Sequence, residues 1–222
     1  MTKRKSAYIL GVIPRYAALS LLAAVAWNTV VYNGAIWLMR DAPKIDLTSG
    51  FEELIPLRTG WIVVYFGCYL FWGVHYILIA RTGKEKWFRF LTADLLAELV
   101  CGACFVLLPA TNVRPEVAGN GVCDQLVRLL YQIDPAQNLF PSIHCVVSWF
   151  CYIGLREEKE EFPLWYRLAV AAFAVAVCVS TLFLKQHVLA DVLAGVLLAE
   201  LCYGLCRRTE LYRPLMKFFC RE

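Results

Sequence analysis

The sequence predicts an all-α protein, an integral membrane bundle of six transmembrane helices with both termini in the cytoplasm. Three observations predict it. Of the 222 residues, 60% are apolar and only 18% charged, whereas soluble domains run at roughly 45–50% apolar and about 25% charged. The mean hydropathy of +0.57 makes lipid the natural solvent for much of the surface. Six apolar segments approach the ~20 residues that a helix needs to cross ~30 Å of hydrocarbon. The Lys and Arg residues also fall unevenly on the two sides of those segments, as expected if cytoplasmic loops retain positive charge.

The first span is expected over 16–39. The preceding Lys3-Arg4-Lys5 could open a signal peptide, but the apolar run is too long and lacks a clear small-residue cleavage site, so it reads as a retained membrane helix. A turn-rich loop over 41–60 leads to the second span, 61–80. The basic loop 81–89 precedes the third, 90–108. After a long turn-rich stretch, 109–140, comes a fourth span over 141–155. It is short at face value and gains length if residues 138–140 join it. The charged turn 156–164 separates it from the fifth span, 165–184, and a tight link around Lys185 leads to the sixth, 188–206. The whole chain, 1–222, reads as a single transmembrane domain. With the N-terminus inside, sixteen Lys and Arg lie on the cytoplasmic side and six outside. The loop 109–140 and the starts of the fourth and sixth spans then share the extracytoplasmic face.

Composition also bounds function. A net charge of +4 gives no reason to expect nucleic acid as a partner. The ten cysteines fall mostly inside apolar runs and read as small buried hydrophobes, unlike a secreted disulfide framework. Cys101 and Cys104 form a C-x-x-C in mid-span with no second pair to complete a zinc site. His75 reads as a helix-packing group. Asp94 and Glu98 are expected to pair with Arg81, Lys84 or Arg89 near the inner interface, although intramembrane carboxyls can also mark a proton or ion path. Glu116, Asp124 and Asp134 in the outer loop suggest no specific chemistry.

Two of the three histidines carry the chemical signal. His144 lies in Pro141-Ser142-Ile143-His144, where Pro and Ser are suited to open a helix whose first N–H groups lack intrahelical partners and so attract anions such as phosphate. His187 and Asp191 are four residues apart and share a helical face. A carboxylate there can hold one imidazole nitrogen and leave the other free to attack. An Asp just inside a membrane helix also needs a partner, and His187 is the nearest choice.

These strings resemble the type 2 phosphatidic acid phosphatase superfamily, histidine-nucleophile membrane lipid phosphatases and phosphotransferases. Pro141-Ser142-Ile143-His144 resembles its second motif, Pro-Ser-Gly-His. Ser180-Thr181-x5-His187-x3-Asp191 resembles the third, Ser-Arg-x5-His-x3-Asp. Arg114-Pro115 matches the end of the first, Lys-x6-Arg-Pro, with Leu107 in place of the Lys; Thr181 replaces the third-motif Arg. Ile143 and Thr181 lean toward the branch similar to inositol phosphorylceramide synthases. The resemblance implies that His187 attacks phosphorus, Asp191 orients it and His144 protonates the leaving alcohol. It also implies phosphate binding by Arg114 and by groups near Ser142 and Ser180. Lys185, two residues before His187, is a candidate replacement for the missing cations. No metal or other cofactor is implied.

The expected partners are therefore a lipid phosphate and the bilayer. The leading expectation is a membrane lipid phosphatase working at the extracytoplasmic face through a phosphohistidine. Transfer of the same group to a lipid or polyol alcohol is the nearest alternative. A small transporter using the His/Asp cluster for an anion or proton is the alternative from a different class.

Overall fold

The computed structural model describes residues 8–220, so Lys3, Arg4, Lys5 and Arg221, four of the cations counted as cytoplasmic, lie outside it. The described chain is helical, with only two-residue strands. A short hairpin, β1 (Tyr8–Ile9) with β2 (Ile13–Pro14), precedes helix α1 (Arg15–Leu38). Strand β3 (Ile45–Asp46) and the small helix α2 (Gly50–Leu54) follow, then a 3₁₀ turn (Thr59–Trp61) running into α3 (Ile62–Arg81). Helix α4 (Lys84–Leu107), strand β4 (Ala110–Thr111) and helix α5 (Val122–Ile133) lead to α6 (Ile143–Arg156). The last three helices are α7 (Leu164–Phe183), α8 (Leu189–Arg208) and α9 (Tyr212–Cys220).

Five helical segments are long and apolar enough to cross a membrane: α1, the 3₁₀ turn with α3, α4, α7 and α8. They match five of the expected spans, and the chain is a multi-pass integral membrane protein. Their exposed faces are apolar. On α8, Leu193, Leu197, Leu201 and Leu205 make an outward row at i,i+4 spacing, while Asp191, Val192, Gly195, Ala199, Cys202 and Cys206 are buried. One helix thereby serves lipid on one side and the bundle on the other.

The segment expected as a fourth span is α6, and its geometry is different. Its 14 residues reach only about 21 Å at the α-helical rise. It is the axis of the bundle, packed by α3, α4, α7 and α8, with nine of its residues buried. A helix shielded by protein need not match the hydrocarbon thickness alone, because its exposed backbone ends meet neighbouring segments. Ser142 caps its start by accepting the Cys145 N–H at 3.3 Å, a preferred N-cap arrangement.

The two sides of the bundle are finished differently. On the side of the 156–164 turn, charges pair between segments: Lys86 with Glu158, Arg156 with Glu200 and Arg207 with Glu157, each at 2.6 Å. Such partly exposed pairs contribute little individually, but together they tie the turn to α4 and α8. On the opposite side the loops form a cap. Strand β3 pairs in parallel with β4, the Thr48 hydroxyl accepts the Val113 N–H at 2.9 Å, and Thr111 donates to the Ala136 carbonyl at 2.7 Å. This cap contains α5, which the sequence reading leaves within a loop. Its Val127 and Leu130 pack on Ile62, Tyr65 and Leu184.

Asp94 and Glu98 do not pair with the basic residues expected for them. Tyr76 donates its hydroxyl to Asp94 Oδ1 at 2.8 Å, and Asn28 donates to Glu98 Oε1 at 2.7 Å. Both carboxyls are buried, so polar groups on α1 and α3 reach them where solvated cations cannot. His75 packs as expected: Nδ1 donates to the Phe71 carbonyl at 2.7 Å, and Nε2 accepts from Tyr166 at 3.1 Å. The ten cysteines are free thiols, seven of them buried.

Gly195 lets α8 approach the start of α6. A Cβ built there would lie 2.8 Å from the Ser142 carbonyl oxygen, inside contact distance with backbone that cannot rotate away. Gly195→Ala should therefore destabilise the protein by about 1–3 kcal/mol, the usual cost of overpacking. Thermal unfolding in detergent measures it; an unchanged midpoint would mean that the helices separate there without penalty.

Candidate active site

The site is built where three chain segments meet beneath the loop cap. Helix α7 ends at Phe183, and the chain turns through Lys185, whose φ of 55° places it in the left-handed region that non-glycine residues seldom occupy. Two contacts hold that turn: Asn112 Nδ2 donates to the Lys185 carbonyl at 2.9 Å, and Lys185 Nζ donates to the Glu52 carbonyl at 2.5 Å. The turn delivers His187 just ahead of α8, with its N–H directed to the Thr181 carbonyl at 3.3 Å.

His187 Nδ1 lies 3.2 Å from Asp191 Oδ2. Since a carboxylate only accepts, Nδ1 is the donor, and Nε2 is the ring nitrogen left free of the carboxylate. Asp191 Oδ2 also accepts the Val188 N–H at 3.0 Å, so the carboxylate caps α8 while orienting the imidazole. Asp191 is fully buried, and its Oδ1 has no protein partner.

His144 stands one residue into α6, its ring centroid 5.9 Å from that of His187 at an interplanar angle of 56°. Tyr65, Tyr69 and Trp72, on one face of α3, surround it with centroids at 4.7, 6.3 and 5.6 Å. Its Nε2 is buried without a hydrogen-bond partner. Ser142 is joined to the other half of the site, its N–H donating to the Asp191 carbonyl at 3.1 Å.

The remaining expected residues divide. Arg114 reaches the site from the cap: Nη1 donates to the Asp134 carbonyl at 2.5 Å, Nη2 donates to Gln186 Oε1 at 2.9 Å, and the guanidinium lies over the Tyr131 ring at 5.0 Å. Two of its five N–H groups are thus used, which leaves capacity for an anion. Burial lowers its pKa, with Asp134 opposing. Lys185 spends one of three donors on Glu52; burial lowers its pKa too, with Glu52 opposing. Ser180 is not brought into the open. It is fully buried and donates to the Val177 carbonyl of its own helix at 2.6 Å.

A cavity of about 410 Å³ opens beside His187, lined by Thr48, Glu52, Glu53, Asn112, Lys185 and His187 together with apolar side chains. His144, Arg114, Ser142 and Ser180 are not on its wall. Glu52, absent from the sequence reading, roofs this region. Its Oε1 accepts the Leu189 N–H at 3.1 Å, and its Oε2 accepts the Ser49 N–H at 3.0 Å and the Ser49 hydroxyl. Burial opposes its charge, but these hydrogen bonds win and hold its carboxyl below the usual glutamate pKa. The Ser49-x-x-Glu52 spacing is a capping-box signature that could have located α2. Gln186, also missed, sits between two residues singled out in the sequence. Among the described residues, no group of three or more His, Cys, Asp or Glu side chains is placed to hold a metal ion.

A model of the PAP2 superfamily matches residues 119–214, a stretch that contains His144, Ser180, Lys185, His187 and Asp191 but not Arg114. No curated protein and no solved structure gives a significant match. The matched superfamily points to phosphatase- or phosphotransferase-type activity on phosphate esters. The motifs and the family match thus point the same way, toward similarity to the PAP2 superfamily over residues 119–214.

Proposed function

We propose that the protein is a membrane phosphatase that hydrolyses a lipid phosphate or diphosphate at the extracytoplasmic face through a phosphohistidine. The observation that carries this reading is the oriented His187–Asp191 pair with a second imidazole, His144, 5.9 Å away. His187 Nε2 attacks phosphorus in line, the N–P bond forming as the bond to the leaving alcohol oxygen breaks. His144 gives its proton to that oxygen and then takes one from the water that cleaves the N–P bond. Asp191 stabilises the charge that grows on His187. Arg114, Lys185 and the amides at the start of α6 offset the negative charge on the phosphoryl oxygens. The reading requires no metal.

The same reading places the site outside. Counting α6 as a crossing gives six passes with both termini inside, which satisfies the sixteen-to-six distribution of Lys and Arg. A single cysteine introduced at Gly119 of a protein whose native cysteines have been replaced should react with an impermeant thiol reagent from outside intact cells; reaction only from the cytoplasmic side would reverse the orientation.

The direct test incubates purified protein with a panel of lipid phosphates, with and without EDTA, and follows free phosphate and phosphorylated alcohol separately. Phosphate release that survives EDTA is expected. A phosphorylated alcohol as the main product would make the enzyme a phosphotransferase acting through the same intermediate. His187→Ala should abolish turnover and acid-labile phosphoprotein together, while His144→Ala should slow substrates with poor leaving groups by about 10²–10⁴-fold. A folded His187→Ala protein with near-normal turnover would falsify the mechanism.

Lys185 gives a pH-dependent test. Burial lowers its pKa, so its positive charge is lost, as pH rises, earlier than for an exposed lysine. KM for a lipid phosphate should rise on that alkaline limb. Lys185→Arg, which stays charged, should flatten the rise, and an unchanged KM profile would remove Lys185 from phosphate binding.

A further inference from the structure

We infer that Asp134 is a positioning residue for His144, an inference that rests on reading His144 as the general acid. Asp134 immediately follows α5, in the loop that leads to α6. Its two carboxylate oxygens collect tyrosines from two different helices. Oδ1 accepts the hydroxyl of Tyr32 on α1, and Oδ2 accepts that of Tyr65 on α3 at 3.3 Å. Its backbone carbonyl accepts Arg114 Nη1. One residue therefore joins α1, α3 and the segment that bears the Arg-Pro pair.

The link to chemistry runs through Tyr65. That side chain is fully buried, and its ring lies 4.7 Å from the His144 ring at a tilt of 31°. His144 Nε2 has no hydrogen-bond partner, so the orientation of the imidazole depends on its aromatic walls. Tyr69 and Trp72 form other parts of the wall, at 6.3 and 5.6 Å. Tyr65 is the nearest wall, and Asp134 fixes its far end. The hydroxyl bond stops the ring from sliding along α3, and the ring holds the imidazole at the angle from which it protonates a leaving oxygen. Tyr32 binds the same carboxylate, but its ring packs edge-on against Phe105 rather than against His144. Tyr32 is therefore an internal control.

The test compares an alkyl phosphate, octyl phosphate, with an activated ester, 4-nitrophenyl phosphate, for wild-type protein and four variants: His144→Ala, Asp134→Asn, Tyr65→Phe and Tyr32→Phe. A general acid matters most where the leaving group is poor. Tyr65→Phe keeps the ring and removes the hydroxyl. It should slow octyl phosphate by about 3- to 10-fold, the rate equivalent of one hydrogen bond, and slow the aryl ester much less. Asp134→Asn should show the same selectivity with KM little changed, because Arg114 is held by the backbone carbonyl, which the substitution keeps. Tyr32→Phe should affect the two esters equally. A selective loss in Tyr65→Phe and Asp134→Asn but not in Tyr32→Phe supports the inference. Equal losses on both esters in all three variants, with His144→Ala still selective, would overturn the positioning role and leave the general acid intact. A His144→Ala protein with no selectivity would overturn both.

Discussion

The close approach of the start of α6 to the start of α8 is the constraint on which the site depends. Gly195 permits it, and the Ser142 N–H donating to the Asp191 carbonyl at 3.1 Å fastens it. Through that contact the two histidine motifs, more than forty residues apart in the chain, become neighbours. Asp191 takes part in three relations at once: its backbone carbonyl anchors Ser142, and its carboxylate caps α8 and orients His187. Moving α8 along its axis would disturb all three together. Positioning by helix ends on a packed bundle is stiffer than positioning by loops alone.

The polar groups of the bundle are layered accordingly. Ion pairs gather around the 156–164 turn, where solvent screens them and weak pairs suffice. Within the helices, buried carboxyls are met by Tyr and Asn side chains, as at Asp94 and Glu98. Under the loop cap the balance changes. His144 Nε2, Arg114 Nε, Asp191 Oδ1 and Gln186 Nε2 all lie buried without protein partners. Unsatisfied buried polar atoms are costly; Glu98 Oε2 and Arg167 Nε are single cases elsewhere, whereas several gather around the two histidines.

Much of this was legible in the sequence, and the gaps have physical causes. Five spans are readable because hydropathy over ~20 residues reports directly on the surrounding solvent. The short α6 is harder, since a helix sheathed by its neighbours is released from the length rule that makes spans recognisable. The His187–Asp191 pair is local, four residues on one helix, so spacing alone reveals it. Helix α5 was missed despite Val122, Leu126, Leu129 and Ile133 falling at helical intervals, because the surrounding glycines, prolines and charges draw attention to turns. Glu52 and Asp134 could not be linked to the site from spacing at all. Their contacts to Leu189 and Tyr65 span 137 and 69 residues, and such long-range pairings are made by the cap.

The departures from the superfamily's motif pattern make sense in the same terms. Leu107 and Thr181 stand where the motifs carry cations. The structure brings other cations near: Lys185 on the cavity wall and Arg114 against Gln186. Both are attached through the cap, Lys185 by the Glu52 carbonyl and Arg114 by the Asp134 carbonyl. A cation rooted in a helix is held by that helix alone, whereas these two are held by segments 45–58 and 109–142. Any phosphate they bind is therefore coupled to the cap's arrangement. The carboxylate of Glu52 on the Leu189 N–H occupies a helix N-terminus of the kind that favours anions. The cap thus holds both the positive charges near His187 and the carboxylate on the adjoining N–H group, so on the proposed function the loops, as much as the motifs, would select the phosphate ester.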